Sequence, residues 1–213
     1  MVINGADPSV TGCTPLRLAI SRQDIEFVGL ISKSTFFSKC HEQYKLAISD
    51  ASGTTDNGIN LEIIKKLFET GQILYKQLDH ALNSAVSVGN LNIVKFLVSK
   101  RLQIHMNRDD PEFSNDNESY SKFLKSAIDH LPIFRWIIEN VPNLDIHYDF
   151  FLLEASKRDS YDVVAYILQK DPQNINKHTL LLKVYMFGED LEYQVFLKWI
   201  LILKYSSLYH YHQ

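Results

Sequence analysis

One six-residue phrase recurs along this chain and constrains its fold more than any other feature. It reads Leu16-Arg17-Leu18-Ala19-Ile20-Ser21, then Tyr44-Lys45-Leu46-Ala47-Ile48-Ser49, Leu82-Asn83-Ser84-Ala85-Val86-Ser87 and Leu124-Lys125-Ser126-Ala127-Ile128-Asp129. Leu152-Leu153-Glu154-Ala155 is a fifth copy, and Leu181-Leu182-Lys183-Val184 is a sixth with Val in place of Ala. In every copy a large side chain sits three positions before a small one, so both share one helical face. A small residue at that point lets a second helix approach closely.

The second helix is written in the sequence as well. Apolar segments with helical rather than alternating spacing follow at 25–31, 61–68, 91–98, 131–138, 161–168 and 191–203. Pro132 falls where such a helix would begin, and a missing N–H costs little in a first turn. The small residues stand at 19, 47, 85, 127, 155 and 184, with separations of 28, 38, 42, 28 and 29. Scatter around a period of about 33 describes a degenerate array of helix pairs carrying insertions and deletions. One helix pair cannot bury its apolar face alone, whereas stacked pairs bury a continuous core.

Thr14-Pro15-Leu16-Arg17-Leu18-Ala19 matches the T-P-L-H-x-A signature except for Arg17 in the His position. Asn4-Gly5-Ala6-Asp7 looks like the end of a preceding repeat, and Ala85 through Gly89 to Leu97 is a second good match. On these residues the chain resembles the ankyrin-repeat family over nearly its whole length. The competing helical solenoids fit less well: TPR units keep a steadier period of about 34 residues, and HEAT units lack the Gly-Ala-Asp ending. The Ile-, Lys- and Asn-rich composition and the run Ile93 to Lys100 are similar to ankyrin proteins of giant viruses and amoeba-associated organisms. The resemblance implies an all-α fold, an ankyrin-type helical solenoid of about five or six degenerate repeats with short hairpin loops. It also implies one array over 1–213.

Two stretches break the rhythm. Asp50 to Asn60 has turn-forming composition and falls between the two helices of the second unit. Met106 to Ser119 carries Asp109, Asp110, Glu112, Asp116 and Glu118, and falls between units as a solvated insertion. Its carboxylates lack the Asp-x-Asp-x-Asp-Gly order of a calcium loop. The first unit begins without a helix pair before it, so either the array continues upstream or this pair has an uncapped apolar side. The last unit is aromatic, with Tyr185, Phe187, Tyr193, Phe196 and Trp199 among its residues, which are expected to face or cap the core.

Charge and cysteine content narrow the class of function. A net charge of −3 gives no bulk attraction to phosphate, so no nucleic-acid partner is expected. Cys13 and Cys40 are too few for a disulfide scaffold, and a reduced intracellular, cytoplasmic setting is expected. Met1 to Val10 lacks the pattern of a secretory signal. The apolar run 195–203 is about half the roughly 20 residues a bilayer requires, so no membrane partner is expected.

The search for catalytic chemistry fails. There is no G-x-G-x-x-G and no Gly-Lys-Ser/Thr phosphate loop. His41-Glu42 begins like a zinc-protease motif, but Lys45 stands where the second His would be. No C-x-x-C occurs, and His210-x-His212 offers too few ligands for a metal site. His105 and His147 each follow Ile in a similar setting, which a repeated hairpin position explains without a catalytic role. No metal, cofactor or catalytic residue is expected.

The expectation is therefore a non-catalytic protein–protein interaction module. The ankyrin resemblance places exposed, concave-side positions two and three residues after each small residue: Ser21, Arg22, Ser87, Val88, Asp129, His130, Lys157 and Arg158. It adds finger positions at Gln77, Asp79, His147, Asp149 and His178. The alternative is an adaptor or effector fragment that recruits a partner to an enzyme such as a ubiquitin ligase.

Overall fold

A computed structural model of the chain describes residues 14–33, 41–53, 58–69, 75–106 and 116–170. Among them the chain is all-α, with no strand. The helices are α1 (Thr14–Ser21), α2 (Ile25–Ser32), α3 (His41–Ser52), α4 (Ile59–Phe68), α5 (Tyr75–Ser87), α6 (Leu91–Met106), α7 (Asp116–Ser126), α8 (Leu131–Asn140), α9 (Tyr148–Lys157) and α10 (Tyr161–Lys170). A single 3₁₀ turn, Ala127–Asp129, lies between α7 and α8. The chain divides into two compact units, Met1–Ser126 and Ala127–Gln213.

In the first unit the helices form pairs that stack in series. Helix α1 packs on α2, α3 on α4 and α5 on α6; the first helices of the pairs run α1 on α3, α3 on α5 and α5 on α7. The recurring phrase causes this arrangement. Ala19, Ala47 and Ala85 are buried where a neighbouring helix crosses, and Leu16 and Leu82, one turn earlier, are buried beside them. The second helices supply the rest of the core through Val28 and Ile31, then Ile63, Ile64 and Leu67, then Ile93, Val94, Leu97 and Val98. Phe68 of α4 meets Phe96 of α6 edge to face, with ring centroids 5.2 Å apart.

The turn inside a pair is built the same way three times. After Ala19, the Gln23 N–H donates to the Ile20 carbonyl at 2.9 Å, and the Asp24 N–H donates to the Ala19 carbonyl at 2.9 Å. After Ala85, Gly89 donates to Val86 at 3.1 Å and Asn90 to Ala85 at 2.9 Å. After Ala155, Asp159 donates to Ser156 at 3.5 Å and Ser160 to Ala155 at 3.0 Å. This is the Schellman ending of a helix, which needs a left-handed residue at its fifth position. Gln23, Gly89 and Asp159 fill that position with φ of 56°, 78° and 55°. The residue after each is Asp24, Asn90 or Ser160, the types that cap a helix N-terminus. Asp24 accepts from the Phe27 N–H at 2.9 Å and Asn90 from the Ile93 N–H at 3.2 Å.

The copy at Ala127 is two residues shorter. No position is left for a left-handed residue, so the chain tightens into the 3₁₀ turn and the His130 N–H donates to the Ala127 carbonyl at 2.8 Å. Pro132 then sits in the first turn of α8, as its missing N–H predicts. In this second unit the 3₁₀ turn packs on α8 and α9, and α10 packs on α8 and α9. The Phe134 ring lies at the centre, edge-on to Phe151 at 5.6 Å and to Tyr166 at 6.2 Å. The connection 141–147 carries no strand and turns at Asn143, φ 55°.

Helix extends into both stretches of loop-like composition. Helix α3 continues through Asp50 to Ser52 because Ala51 and Ser52 are buried and the Ser52 hydroxyl donates to the Ile48 carbonyl at 2.7 Å. Helix α4 begins at Ile59, inside the other end of that stretch. Similarly, α6 reaches Met106 and α7 begins at Asp116, which leaves 107–115 between them. Acidic residues suit a helix N-terminus, and Glu118 accepts from Lys122 one turn later at 2.8 Å. The copy centred on 184, the aromatic C-terminal segment, Asn4 to Asp7 and both cysteines lie outside the described residues.

Candidate functional site

In the first unit the positions two and three residues after the small one are exposed or half-buried. Ser21, Arg22, Asp50 and Ser87 are exposed, whereas Ser49 and Val88 are half-buried. Some of this polar face is tied laterally. Arg17 Nε of α1 donates to Asp50 Oδ2 of α3 at 2.8 Å, with both side chains about half exposed. The Ser49 and Ser84 hydroxyls of α3 and α5 lie 2.7 Å apart. Exposed ion pairs contribute little, roughly 0–1 kcal/mol. Their effect here is to hold neighbouring first helices in register.

Asp79 differs from its expected place on a finger. It lies within α5, and its Oδ1 accepts from Arg101 Nε of α6 at 3.2 Å. The Arg101 side chain is 1% exposed and Asp79 32%. The guanidinium also stands over the Tyr120 ring of α7 at 4.7 Å and near the Phe123 ring at 5.6 Å. This one cation joins α5, α6 and α7. The sequence reading missed Arg101, although a signal was present: it stands three and four residues after Val98 and Leu97, on the buried stripe of α6. Gln77 also falls in α5 rather than in a loop, and its side chain lies outside the described residues. So does all of His178.

In the second unit two expected surface residues bind each other. Arg158 Nη1 donates to Asp129 Oδ2 at 3.1 Å, and the Ser160 hydroxyl donates to Asp129 Oδ1 at 3.0 Å. Lys157 is exposed and donates to Glu154 at 2.9 Å. His130 and His147 precede α8 and α9 as their N-cap residues, and neither gives a side-chain capping bond. His147 is 79% exposed, with its Nε2 3.9 Å from Asp145 Oδ2. Asp149 falls in the first turn of α9, exposed, and is followed by Phe150 at 40% exposure. The structure thus brings Asp129 together with Arg158 and leaves His147, Asp149 and Lys157 on the surface.

A second cluster joins α8 to α10. Glu139 accepts from Arg135 at 3.1 Å and lies 3.5 Å from the Lys170 Nζ. Partial desolvation pulls its carboxyl up, but the two cations outweigh that and hold it below the usual range. The Tyr166 hydroxyl is buried, with no hydrogen-bond partner among the described residues. Burial, and then the nearby Glu139 charge, push it up to about 12. These contacts tie α8 to α10. Among the described residues no three His, Cys, Asp or Glu side chains are grouped to hold a metal ion. No described helix is long and apolar enough to cross a membrane. Comparison of the chain with protein-family models, with curated proteins and with solved structures gives no match.

Proposed function

We propose that this chain is a divergent ankyrin-type repeat module that binds another protein and catalyses no reaction. The observation that carries this reading is the threefold recurrence of one turn between paired helices, at Gln23 and Gly89 in the first unit, whose first helices stack in series, and at Asp159 in the second. A stack of rigid pairs presents the exposed ends of its first helices and the connections between pairs without ordering a loop on binding, which limits the entropic cost. In this reading the contact set is Lys157, His147 and Asp149, all on the second unit. Asp129, Arg158 and Asp79 shape the surface through internal ion pairs. The chain sits inside a cell and takes no cofactor.

The test is affinity capture with the full chain, followed by a binary measurement on the purified partner. Lys157→Glu combined with Asp149→Lys is expected to weaken binding at least tenfold while the circular dichroism spectrum stays unchanged. Surface changes of this kind move stability by less than about 0.5 kcal/mol, so binding and folding effects separate. Asp109→Lys with Asp110→Lys, in the 107–115 insertion, serves as the comparison. Loss of binding in the comparison variant alone would assign recognition to the insertion.

A further inference from the structure

Register positions in the later helix pairs show which side chains reach back toward the preceding pair. The position one before the small residue does so at Ser84, whose hydroxyl meets Ser49 of α3. The position three after it does so at Arg158, which meets Asp129 of the 3₁₀ turn. The position eleven after it does so twice: Phe96 meets Phe68 of α4, and Tyr166 meets Phe134 of α8. These three register positions mark the backward side of the pairs in which the contacts occur.

In the first pair those positions are Leu18, Arg22 and Leu30. Leu18 and Leu30 are each 46% exposed, and with Phe150 they are the large hydrophobic side chains exposed among the described residues. Arg22 is exposed as well. Glu26, also exposed, stands one turn before Leu30 on the same face of α2. So α1 offers Leu18 and, one turn on, Arg22, while α2 offers Glu26 and, one turn on, Leu30. The two helices run antiparallel through the turn at Gln23. Both charges therefore lie at the turn end of the face and both leucines at the far end.

This pattern is self-complementary. A two-fold axis parallel to the helices sets α1 of one copy against α2 of the other. It places Leu18 opposite Leu30 and Arg22 opposite Glu26, twice over. We infer that the backward face of the α1–α2 pair is a docking surface for a second copy of this chain, closed by a two-fold. An isologous contact of this kind uses the same patch on both copies. The inference uses the register of the helix pairs and does not depend on the partner-binding reading above. Both helices are eight residues long, or about 12 Å, so the footprint falls below the roughly 800 Å² per partner of a stable complex. Self-association is accordingly weak and concentration-dependent.

Sedimentation equilibrium of the full chain from about 10 μM to about 1 mM tests this, since millimolar dissociation corresponds to only about 4 kcal/mol. The mean mass is expected to climb from the chain's 24.6 kDa toward twice that value. Leu18→Glu and Leu30→Glu, both at exposed positions, should each abolish the climb. Arg22→Glu alone and Glu26→Arg alone should each weaken association at least tenfold, by setting like charges against each other. An equimolar mixture of those two variants should recover wild-type association, because each mutated residue then faces an opposite charge. A chain that stays monomeric throughout, a dimer that survives both leucine substitutions, or a mixture that fails to recover would each overturn the inference.

Discussion

Replacing Asp79 with Ala should destabilise the first unit far more than its partly exposed position suggests. The side chain it leaves behind is Arg101, 1% exposed and held against the rings of Tyr120 and Phe123. Removing one member of a buried ion pair costs about 3–5 kcal/mol, because the remaining charge loses an opposite charge at hydrogen-bond distance. Asp79 keeps 32% exposure, so water partly screens the pair and the expected cost falls to about 2–4 kcal/mol. Arg101→Met retains most of the apolar volume and removes the charge together with its need for a partner. It forfeits the attraction to the rings and should cost about 1–2 kcal/mol. In the double variant the loss of Asp79 should add little, so the coupling should approach the full cost of Asp79→Ala, about 2–4 kcal/mol. Urea unfolding followed by far-UV circular dichroism reads all three. An Asp79→Ala chain within about 0.5 kcal/mol of wild type would refute the reasoning. So would a double variant that costs the sum of the singles.

Three further outcomes follow from the packing and the turns. Ala85 is fully buried, and Ala85→Leu should overpack the crossing of first helices by about 1–3 kcal/mol; an unchanged urea midpoint would place the register elsewhere. Gly89→Ala should destabilise by about 1 kcal/mol because φ is 78° there, whereas Gln23→Gly should leave the midpoint level or raise it by relieving a left-handed side chain. The Tyr166 hydroxyl is raised to about 12, so the native state keeps its proton where the unfolded chain has lost it. Stability should therefore fall as pH rises from about 10, and Tyr166→Phe should flatten that slope in a thermal-unfolding series across pH.

The helix pairs were legible because their causes lie close together in the chain. A large residue three before a small one fixes a helical face, and the ending at Ala19, Ala85 and Ala155 is closed by bonds spanning six residues. Gly89 followed by Asn90 could be read as a stop and a start from the letters alone. Gln23 and Asp159 hid the same turn, since neither residue type announces a left-handed backbone as Gly does. The insertion bounds drifted for a related reason. Turn-forming composition at Asp50 to Ser52 suggested a loop, but burial of Ala51 and Ser52 kept the helix going.

The polar surface was legible only as a set of exposed positions. Asp129 and Arg158 are both exposed, but their attachment to each other was not written in either neighbourhood. The residues that choose partners stand 22 apart for Asp79 and Arg101, 31 for Asp129 and Ser160, and 33 for Arg17 and Asp50. Helical period, capping and the fit of a small residue act over one or two turns, so the sequence by itself determined the helices and their pairing. Charges meet across a helix pair or a whole repeat, and those spacings vary here through insertions and one shortened turn. Only the stacked tertiary structure decided which carboxylate holds Arg101 and which leucines the first pair leaves in water.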